Sequence, residues 1–253
     1  MDFPSLLRPA FGVLAFALAL LRTPTLEATT LDRMQATCAA CGRASEQTVI
    51  GSTNTMGAPD LDLRPAEMQR STMEFWVHEC PHCGYCSGNL AEAQPDAAAA
   101  TRSEAYRAQL KNPNFPPLAN RFLCQMLLAD QAGDHKAAVH AAKCAAWACD
   151  DAGKTEQALQ ARTAALERLA QLKAKGESLY DQPGADENFL SDFARRCGHF
   201  LVAAAHARHG LELKPESIIA QVLDYELALA ERQDADCHTV GELPRPDEAS
   251  AAP

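Results

Sequence analysis

The sequence is short of positive charge. Its 23 lysine and arginine residues stand against 33 aspartate and glutamate residues, so the formal net charge is −10 at pH 7. Proteins that bind nucleic acid neutralise phosphate groups with concentrated lysine and arginine. The charge balance therefore predicts that nucleic acid is not a partner of this chain.

A hydrophobic run of comfortable transmembrane length is also missing near the N-terminus. Residues 9–21 are uncharged and mostly apolar, but a membrane-spanning helix needs about 20 such residues. The run resembles a signal-peptide core, although the acidic Asp2 and the lack of a clear cleavage site weaken that interpretation. Because Met34 offers an internal start, residues 1–33 are either a start-site artefact, which predicts a cytoplasmic protein, or a signal or anchor, which predicts export or membrane contact.

The polar segment 51–72 lacks a recognisable catalytic constellation. If it is extended, Asp60 and Asp62 project the same way and could serve as general acid and base or as hard-metal ligands. No histidine, serine or lysine stands at a spacing that completes such a site. The structural interpretation is that Asp60 caps a turn after Pro59 and that the acidic residues pair with nearby arginines or with the helical region. The sequence leaves enzymatic activity undecided and favours a protein without it.

Two cysteine pairs of the same design are the most informative feature that is present. Each is a C-x-x-C-G run, and the four cysteines are Cys38, Cys41, Cys80 and Cys83. Each C-x-x-C turn places two sulfurs on one side of a tight loop, so the two runs predict a tetrahedral Zn²⁺ site. Gly42 and Gly84 can adopt the positive φ that lets the chain pass close to the metal. Four protein ligands leave no open coordination position, which predicts a structural zinc ion.

Other ligand sets and other thiol chemistry stay open. Cys86 lies three residues after Cys83, and His78 and His82 flank Cys80, so any of them could replace a predicted ligand. The cysteines could also be free thiols, a redox pair or disulfides. The remaining cysteines are interpreted as reduced thiols of a cytosolic protein; they are Cys124, Cys144, Cys149, Cys197 and Cys237.

Hydrophobic periodicity divides the rest of the chain. Residues 34–95 are predicted to form a zinc-ribbon-like β module, with strands at 47–50 and 72–79. Residues 96–233 are predicted to be helical, and residues 234–253 to be a disordered tail. The expected fold class is therefore α+β, mostly α. The predicted helices are at 97–110, 116–132, 134–150, 154–174, 186–209 and 215–233.

A sequence pattern that occurs twice within the helical region, the sequence echo, predicts tetratricopeptide-like helical hairpins. Ala129-x-x-x-Gly133 and Ala194-x-x-x-Gly198 are each followed by alanines at similar spacing, as in repeats where small residues let two helices approach. A generic alanine-rich bundle is the alternative. Cys197, His199, His206 and His209 also cluster in sequence. They are interpreted as ordinary helix-face residues or, alternatively, as a second metal site.

The residues 60–65, with the sequence DLDLRP, together with FWV before the CPHCGY run, resemble a bacterial family of unknown function that has a zinc-ribbon-like head and tetratricopeptide-like helices. The resemblance covers residues 34–232. It implies a cytosolic bacterial protein with a cysteine-bound metal and a helical scaffold, and it implies no established reaction.

These features predict a non-enzymatic, zinc-stabilised adaptor whose helical groove binds a protein or peptide. The alternative is a thiol-based redox or metal-sensing protein that uses the Cys80-Pro81-His82-Cys83 segment. An adaptor would keep its metal under mild oxidation, whereas a redox switch would release it and gain a disulfide.

Overall fold

The structure, a computed structural model, describes residues 29–244. It consists mostly of helices that follow a small N-terminal antiparallel sheet. The predicted α+β, mostly α, fold class is confirmed. The apolar run at 9–21 and the last part of the predicted tail, 245–253, lie outside the described residues.

The N-terminal part, which we call the head, is built around two short antiparallel pairs of strands. β1 (Thr30–Thr37) pairs with β2 (Ala44–Ser52), and β3 (His78–Glu79) pairs with β4 (Cys86–Ser87). The strand predicted at 47–50 is therefore confirmed as part of β2. β1 begins before the predicted boundary at residue 34, so the residues just before that boundary belong to the head.

The strand predicted at 72–79 is wrong over most of its length. Residues Met73–Phe75 form a 3₁₀ turn, and β3 takes only the last two residues of the predicted strand. The Trp76 indole N–H donates to the Thr72 hydroxyl at 3.0 Å, and that hydroxyl donates to the Gln69 carbonyl at 2.7 Å. Threonine hydroxyls that bond locally in this way compete with an extended backbone.

The other main elements of the described chain are α-helices. Two one-turn helices are α1 (Glu67–Arg70) in the head and α2 (Ala97–Ala100). The others are α3 (Glu104–Leu110), α4 (Pro117–Ala132), α5 (His135–Asp151), α6 (Thr155–Ala174), α7 (Ala185–Arg196), α8 (Phe200–Glu212) and α9 (Ser217–Glu231).

Two of the predicted helices are each divided in two. The helix predicted at 97–110 breaks before Ser103, whose side chain accepts from the Tyr106 amide and caps α3. The helix predicted at 186–209 breaks at Gly198, which has φ +77°. Gly133 has φ +71° and ends α4 in the same left-handed conformation. The two glycines of the sequence echo therefore both lie at the end of the first helix of a packed pair.

Consecutive helices pack against one another in two sets, α4–α5–α6 and α7–α8–α9. The core between them is rich in alanine, and α5 alone buries six alanines. One continuous buried cluster runs from Val77 and Tyr85 of the head through Phe122 and Trp147 to Phe189. The head and the helices thus share a core, and within residues 29–244 no helix has the length and apolar character to cross a membrane.

The start of the predicted tail is ordered against the head. The His238 carbonyl accepts from the Leu61 amide at 2.9 Å, and the Val240 amide donates to the Pro59 carbonyl at 2.8 Å. The prediction of disorder is wrong for residues 234–244, which we call the strap. Its backbone groups form hydrogen bonds with residues 59–61, which are distant in sequence. The prediction of disorder used local composition alone and could not include these bonds.

Candidate metal centre

The four predicted ligands come together at one point of the head. Their sulfur atoms all lie within 4.8 Å of one another. Sγ of Cys38 is 3.8 Å from Sγ of Cys83, and Sγ of Cys41 is 3.8 Å from Sγ of Cys80. Sulfurs about 2.3 Å from a tetrahedral metal are separated by about 3.8 Å. All four cysteines are free of disulfides, and their arrangement can hold a metal ion.

Two backbone turns of the same construction present the sulfurs. In the first turn the Cys38 amide donates to the Arg43 carbonyl at 2.9 Å, and the Gly42 amide donates to the Cys38 carbonyl at 2.7 Å. The second turn, built on Cys80 and Gly84, repeats both bonds at 2.8 Å. Both glycines have positive φ, +71° and +76°. The paired C-x-x-C-G motif therefore folds as two equivalent knuckles that face each other.

The surroundings of the cysteines differ. Burial is the main cause that raises the pKa values of the Cys38 and Cys83 thiols. Cys41 is exposed, and the Arg43 backbone N–H is the main cause that lowers the pKa of its thiol. The thiolate is the form that ligates metal. It is therefore favoured at Cys41, the ligand at the surface.

Helix α3 and the loop after β4 form hydrogen bonds with the backbone of the two knuckles. The Tyr106 hydroxyl of α3 donates to the Gly84 carbonyl and accepts from the Cys86 amide, both at 2.9 Å. The Ala39 amide donates to the Leu90 carbonyl at 2.8 Å. Tyr106 is almost fully buried. The position of the second knuckle thus depends on the helical part of the chain.

Cys86 and the neighbouring histidines stay out of the sulfur cluster. Cys86 is fully buried, and its thiol lies 3.4 Å from the Gly84 carbonyl. The His82 ring turns toward the first knuckle, with Nε2 3.3 Å from the Ala44 carbonyl and Nδ1 3.5 Å from Arg43. None of these side chains joins the group that could hold a metal.

The two aspartates of the polar segment are buried, Asp62 against the helices and Asp60 within the head. Asp62 Oδ2 accepts from the Trp147 indole at 2.6 Å and lies 3.5 Å from Arg196 Nη1. Asp60 pairs with Arg70 at 2.6 Å. Burial, followed by the nearby Asp192, raises the pKa of the Asp62 carboxyl. Both carboxylates are engaged by cations, as the structural interpretation of this segment predicts.

The histidines near Cys197 belong to helix surfaces. His209 lies 3.6 Å from Glu212, and burial lowers the pKa of the half-buried His206. In the described part of the chain, the only group of three or more histidine, cysteine or acidic side chains that could hold a metal is the four-cysteine cluster. A second metal site formed by these histidines is therefore wrong.

Sequence reasoning missed the residues that support the site from a distance. Tyr106, Trp147 and Arg195 lie in helices remote in sequence from the knuckles and the polar segment. Arg195 is completely buried and contacts Glu226, Asp192 and the carbonyls of the strap. One sequence signal was available: Arg195 follows the apolar residues Phe193 and Ala194 on a predicted helix. An arginine buried at such a position needs an acidic partner, so the pattern could have indicated a buried ion pair.

Comparison with protein-family models, with curated proteins and with solved structures finds no match to the chain. Its resemblance to an uncharacterised bacterial family stays a prediction.

Proposed function

We propose that the protein is a non-enzymatic adaptor that binds a protein or peptide partner, with Zn²⁺ as a structural metal at the four cysteines. The observation that carries this proposal is the closed four-sulfur cluster, which is built into the same core as the helices. A centre with four protein ligands has no position for substrate or activated water. Its role is then to fix the shape of the surrounding surface.

Direct contacts between the head and the helices support this structural role of the metal. The Asn188 side chain of α7 donates to the Leu61 carbonyl at 2.9 Å, and Arg64 pairs with Asp151 of α5 at 2.5 Å. A metal that orders the head would therefore also order the surfaces where the head meets the helices. Structural zinc in small domains supplies folding free energy in this way.

Exposed apolar side chains on the helices support partner binding. Leu201 is 89% exposed at the start of α8, and Ile218 of α9 and Leu63 of the head are about half exposed. Ile218 and Leu63 border an apolar groove of about 310 Å³ between the head and the helices. Helical arrays bind peptides in grooves of this kind. A cytoplasmic, bacterial setting is part of the proposal.

The first test is metal content by elemental mass spectrometry of the full chain, with Cys83→Ser compared with Cys144→Ser. Both cysteines are partly buried, but only Cys83 belongs to the cluster. We expect one zinc per chain in the wild type and in Cys144→Ser, and none in Cys83→Ser. Absence of bound zinc from the wild-type chain would reject the structural-zinc proposal.

The adaptor role is tested by isolating complexes of the zinc-loaded chain and rebuilding the complex from purified components. Isothermal titration calorimetry should then show a defined stoichiometry with wild type and Cys144→Ser, and weaker binding with Cys83→Ser. Turnover of a substrate by the purified chain, or equal binding by the metal-free variant, would contradict the proposal.

A redox or metal-sensing protein is the second candidate, and the surface position of Cys41 favours it. An exposed cysteine with a lowered thiol pKa is the most accessible to oxidants. Titration with a mild disulfide oxidant separates the two functions. Zinc retention favours the adaptor, whereas zinc release with formation of a disulfide within the cluster favours the sensor.

A further inference from the structure

An apolar groove of about 310 Å³ lies between the segment 58–65 of the head, helices α7 and α9, and the strap. None of the eleven residues that line it carries a charge, and nine of them are apolar or aromatic. Leu61 and Val222 are buried in its lining, whereas Leu63 and Ile218 are 45% and 50% exposed. The groove therefore leaves apolar surface in water that a bound apolar group would cover.

One polar atom of this lining has no hydrogen-bond partner. Asn188 is only 6% exposed, and its Nδ2 donates to the Leu61 carbonyl at 2.9 Å. Its Oδ1 is buried and accepts from no donor among residues 29–244. A buried acceptor without a partner costs free energy, because it has lost its water and gained nothing in return. A ligand that brings an N–H donor into the groove would remove this cost.

The charged groups next to the lining are already engaged and balance one another. Lys143 donates to the Tyr180 hydroxyl at 3.1 Å, and Asp186 accepts from the Tyr180 amide at 2.8 Å. Lys173 lies 3.9 Å from Asp186 and pairs with Glu187 at 2.6 Å. The aspartates of the segment 58–65 are paired with arginines. The groove thus offers an ion no free counter-charge, and it matches an uncharged occupant.

We propose that this groove binds an apolar, uncharged segment of a protein partner, in which one backbone N–H donates to Asn188 Oδ1. This inference rests on the proposed adaptor function and assigns its partner a chemical class. A peptide carries such a donor at nearly every residue, beside side chains that can fill the groove. Gln182 also lines the groove and is exposed, so its amide can donate to a carbonyl of the same segment.

A peptide matches the groove better than a lipid chain or a second copy of the protein does. A hydrocarbon chain can fill apolar space, but it has no donor and would leave Asn188 Oδ1 unpaired. A stable dimer buries about 1,200–2,000 Å² in total. A groove of 310 Å³ lies instead at the lower end of the volumes that hold small ligands, about 300–1,000 Å³, and admits a short segment.

The test measures fluorescence anisotropy of a labelled peptide titrated with the full zinc-loaded chain. The peptide has a core of alternating leucine and valine between ends of glycine and serine. In the control peptide, esters replace the amides of the core, which removes the N–H donors and keeps the apolar side chains. We expect the amide peptide to bind about fivefold or more tightly than the ester peptide. Because no charge lines the groove, added salt should not weaken the complex.

A matched pair of variants locates the binding site. Ile218 of α9 borders the groove, whereas Leu201 of α8 lies outside it, and each is the second residue of its helix. An aspartate in the first turn is compatible with either helix. Ile218→Asp should weaken binding by about tenfold or more, because the complex would bury its charge against apolar groups. Leu201→Asp, at a side chain that is 89% exposed, should bind as the wild type does.

No binding by the wild type, equal loss in both variants, or equal affinity for the ester peptide would overturn the inference. Displacement of the peptide by phosphatidylcholine vesicles would make a lipid chain the occupant, and a dimer that dissociates in Ile218→Asp would make it a second copy. Either result would also overturn the inference. The adaptor function has a separate outcome. A purified partner that binds Ile218→Asp at full affinity shows that the adaptor uses another surface, whereas lack of any partner complex rejects the adaptor itself.

Discussion

At the scale of single residues, Tyr106 connects the metal centre to the helices. Its buried hydroxyl bonds to Gly84 and to Cys86 on the second knuckle. We expect Tyr106→Phe to reduce the free energy of unfolding by about 1–3 kcal/mol, because a buried amide and a buried carbonyl lose their partner. Zinc should also dissociate faster in competition with a chelator. Tyr225→Phe, away from the knuckles, is the control and should leave zinc release unchanged; equal release from both variants would contradict the role of Tyr106.

Arg195 is the residue whose removal should be most costly. It is completely buried, with Glu226 Oε2 2.8 Å from Nε and Asp192 Oδ2 2.8 Å from Nη2. Arg195→Met leaves both acids buried without their cation, which costs about 3–5 kcal/mol. Urea unfolding of the variant and the wild type measures this loss.

The same site predicts a dependence on pH. Burial raises the pKa of Glu226 well above its usual range. A carboxyl that binds its proton more tightly in the folded state stabilises the fold as the pH falls through the window between its unfolded and folded pKa values. The Arg195 guanidinium lowers the pKa of Glu226, so its loss raises that pKa further. Arg195→Met should therefore gain stability relative to the wild type as the pH falls from neutral toward the ordinary pKa of a glutamate. The double variant Arg195→Met/Glu226→Gln should lose most of that gain; if it keeps the full gain, Glu226 is not the group responsible.

At the scale of elements, the two knuckles offer a matched pair of glycine substitutions. A Cβ at Gly42 would meet no atom within 4 Å, whereas a Cβ at Gly84 would lie 2.6 Å from Leu110 Cδ2. Both positions have positive φ, so alanine costs about 1–2 kcal/mol at either one. Gly84→Ala must also move Leu110 Cδ2, the end of a flexible and half-buried side chain, and should cost about 0.5–1.5 kcal/mol more, as for one side chain displaced from its rotamer. Zinc affinity by chelator competition should fall further for Gly84→Ala, and the opposite order would show that α3 does not press on the second knuckle.

The elements also show which parts of the fold a sequence can predict. Glycine and proline marked most helix ends, since α4, α5 and α6 lie within two residues of their predicted bounds. The spacing of the C-x-x-C-G runs predicted the four sulfurs because each knuckle is a local turn. β1 was missed because its hydrogen bonds go to β2 and its own residues are exposed, so it carries no hydrophobic pattern.

The long-range contacts could not be predicted in this way. The strap and the polar segment 58–65 satisfy one another's backbone groups across more than half of the chain. Leu63 holds a φ of +65°, which is unusual for a side chain of its size. Such a conformation depends on the partners that surround it, here Asp62 against Trp147 and Arg64 against Asp151. None of these pairings leaves a periodic signal in the sequence.

At the scale of the whole molecule, the shared core determines how metal removal should affect stability. Val77 and Tyr85 of the head belong to the same buried cluster as Phe122 and Trp147 of the helices. The segment 58–65 also connects the head to α5 and α7. The metal, the head and the helices should therefore unfold as one cooperative unit, unlike a zinc finger joined by a linker to an independent domain.

We expect thermal unfolding of the zinc-loaded chain to give a single transition, which shifts to lower temperature when a chelator removes the metal. A ligand that binds only the folded state stabilises the whole cooperative unit by mass action. Calorimetry and far-ultraviolet circular dichroism should give the same midpoint. Cys41→Ser should reproduce the effect of the chelator, whereas Cys237→Ser, at another exposed cysteine, should keep the wild-type midpoint. Two separate transitions, with only the smaller one sensitive to the chelator, would show that the helices fold without the head and that the metal does not control the surfaces that they present.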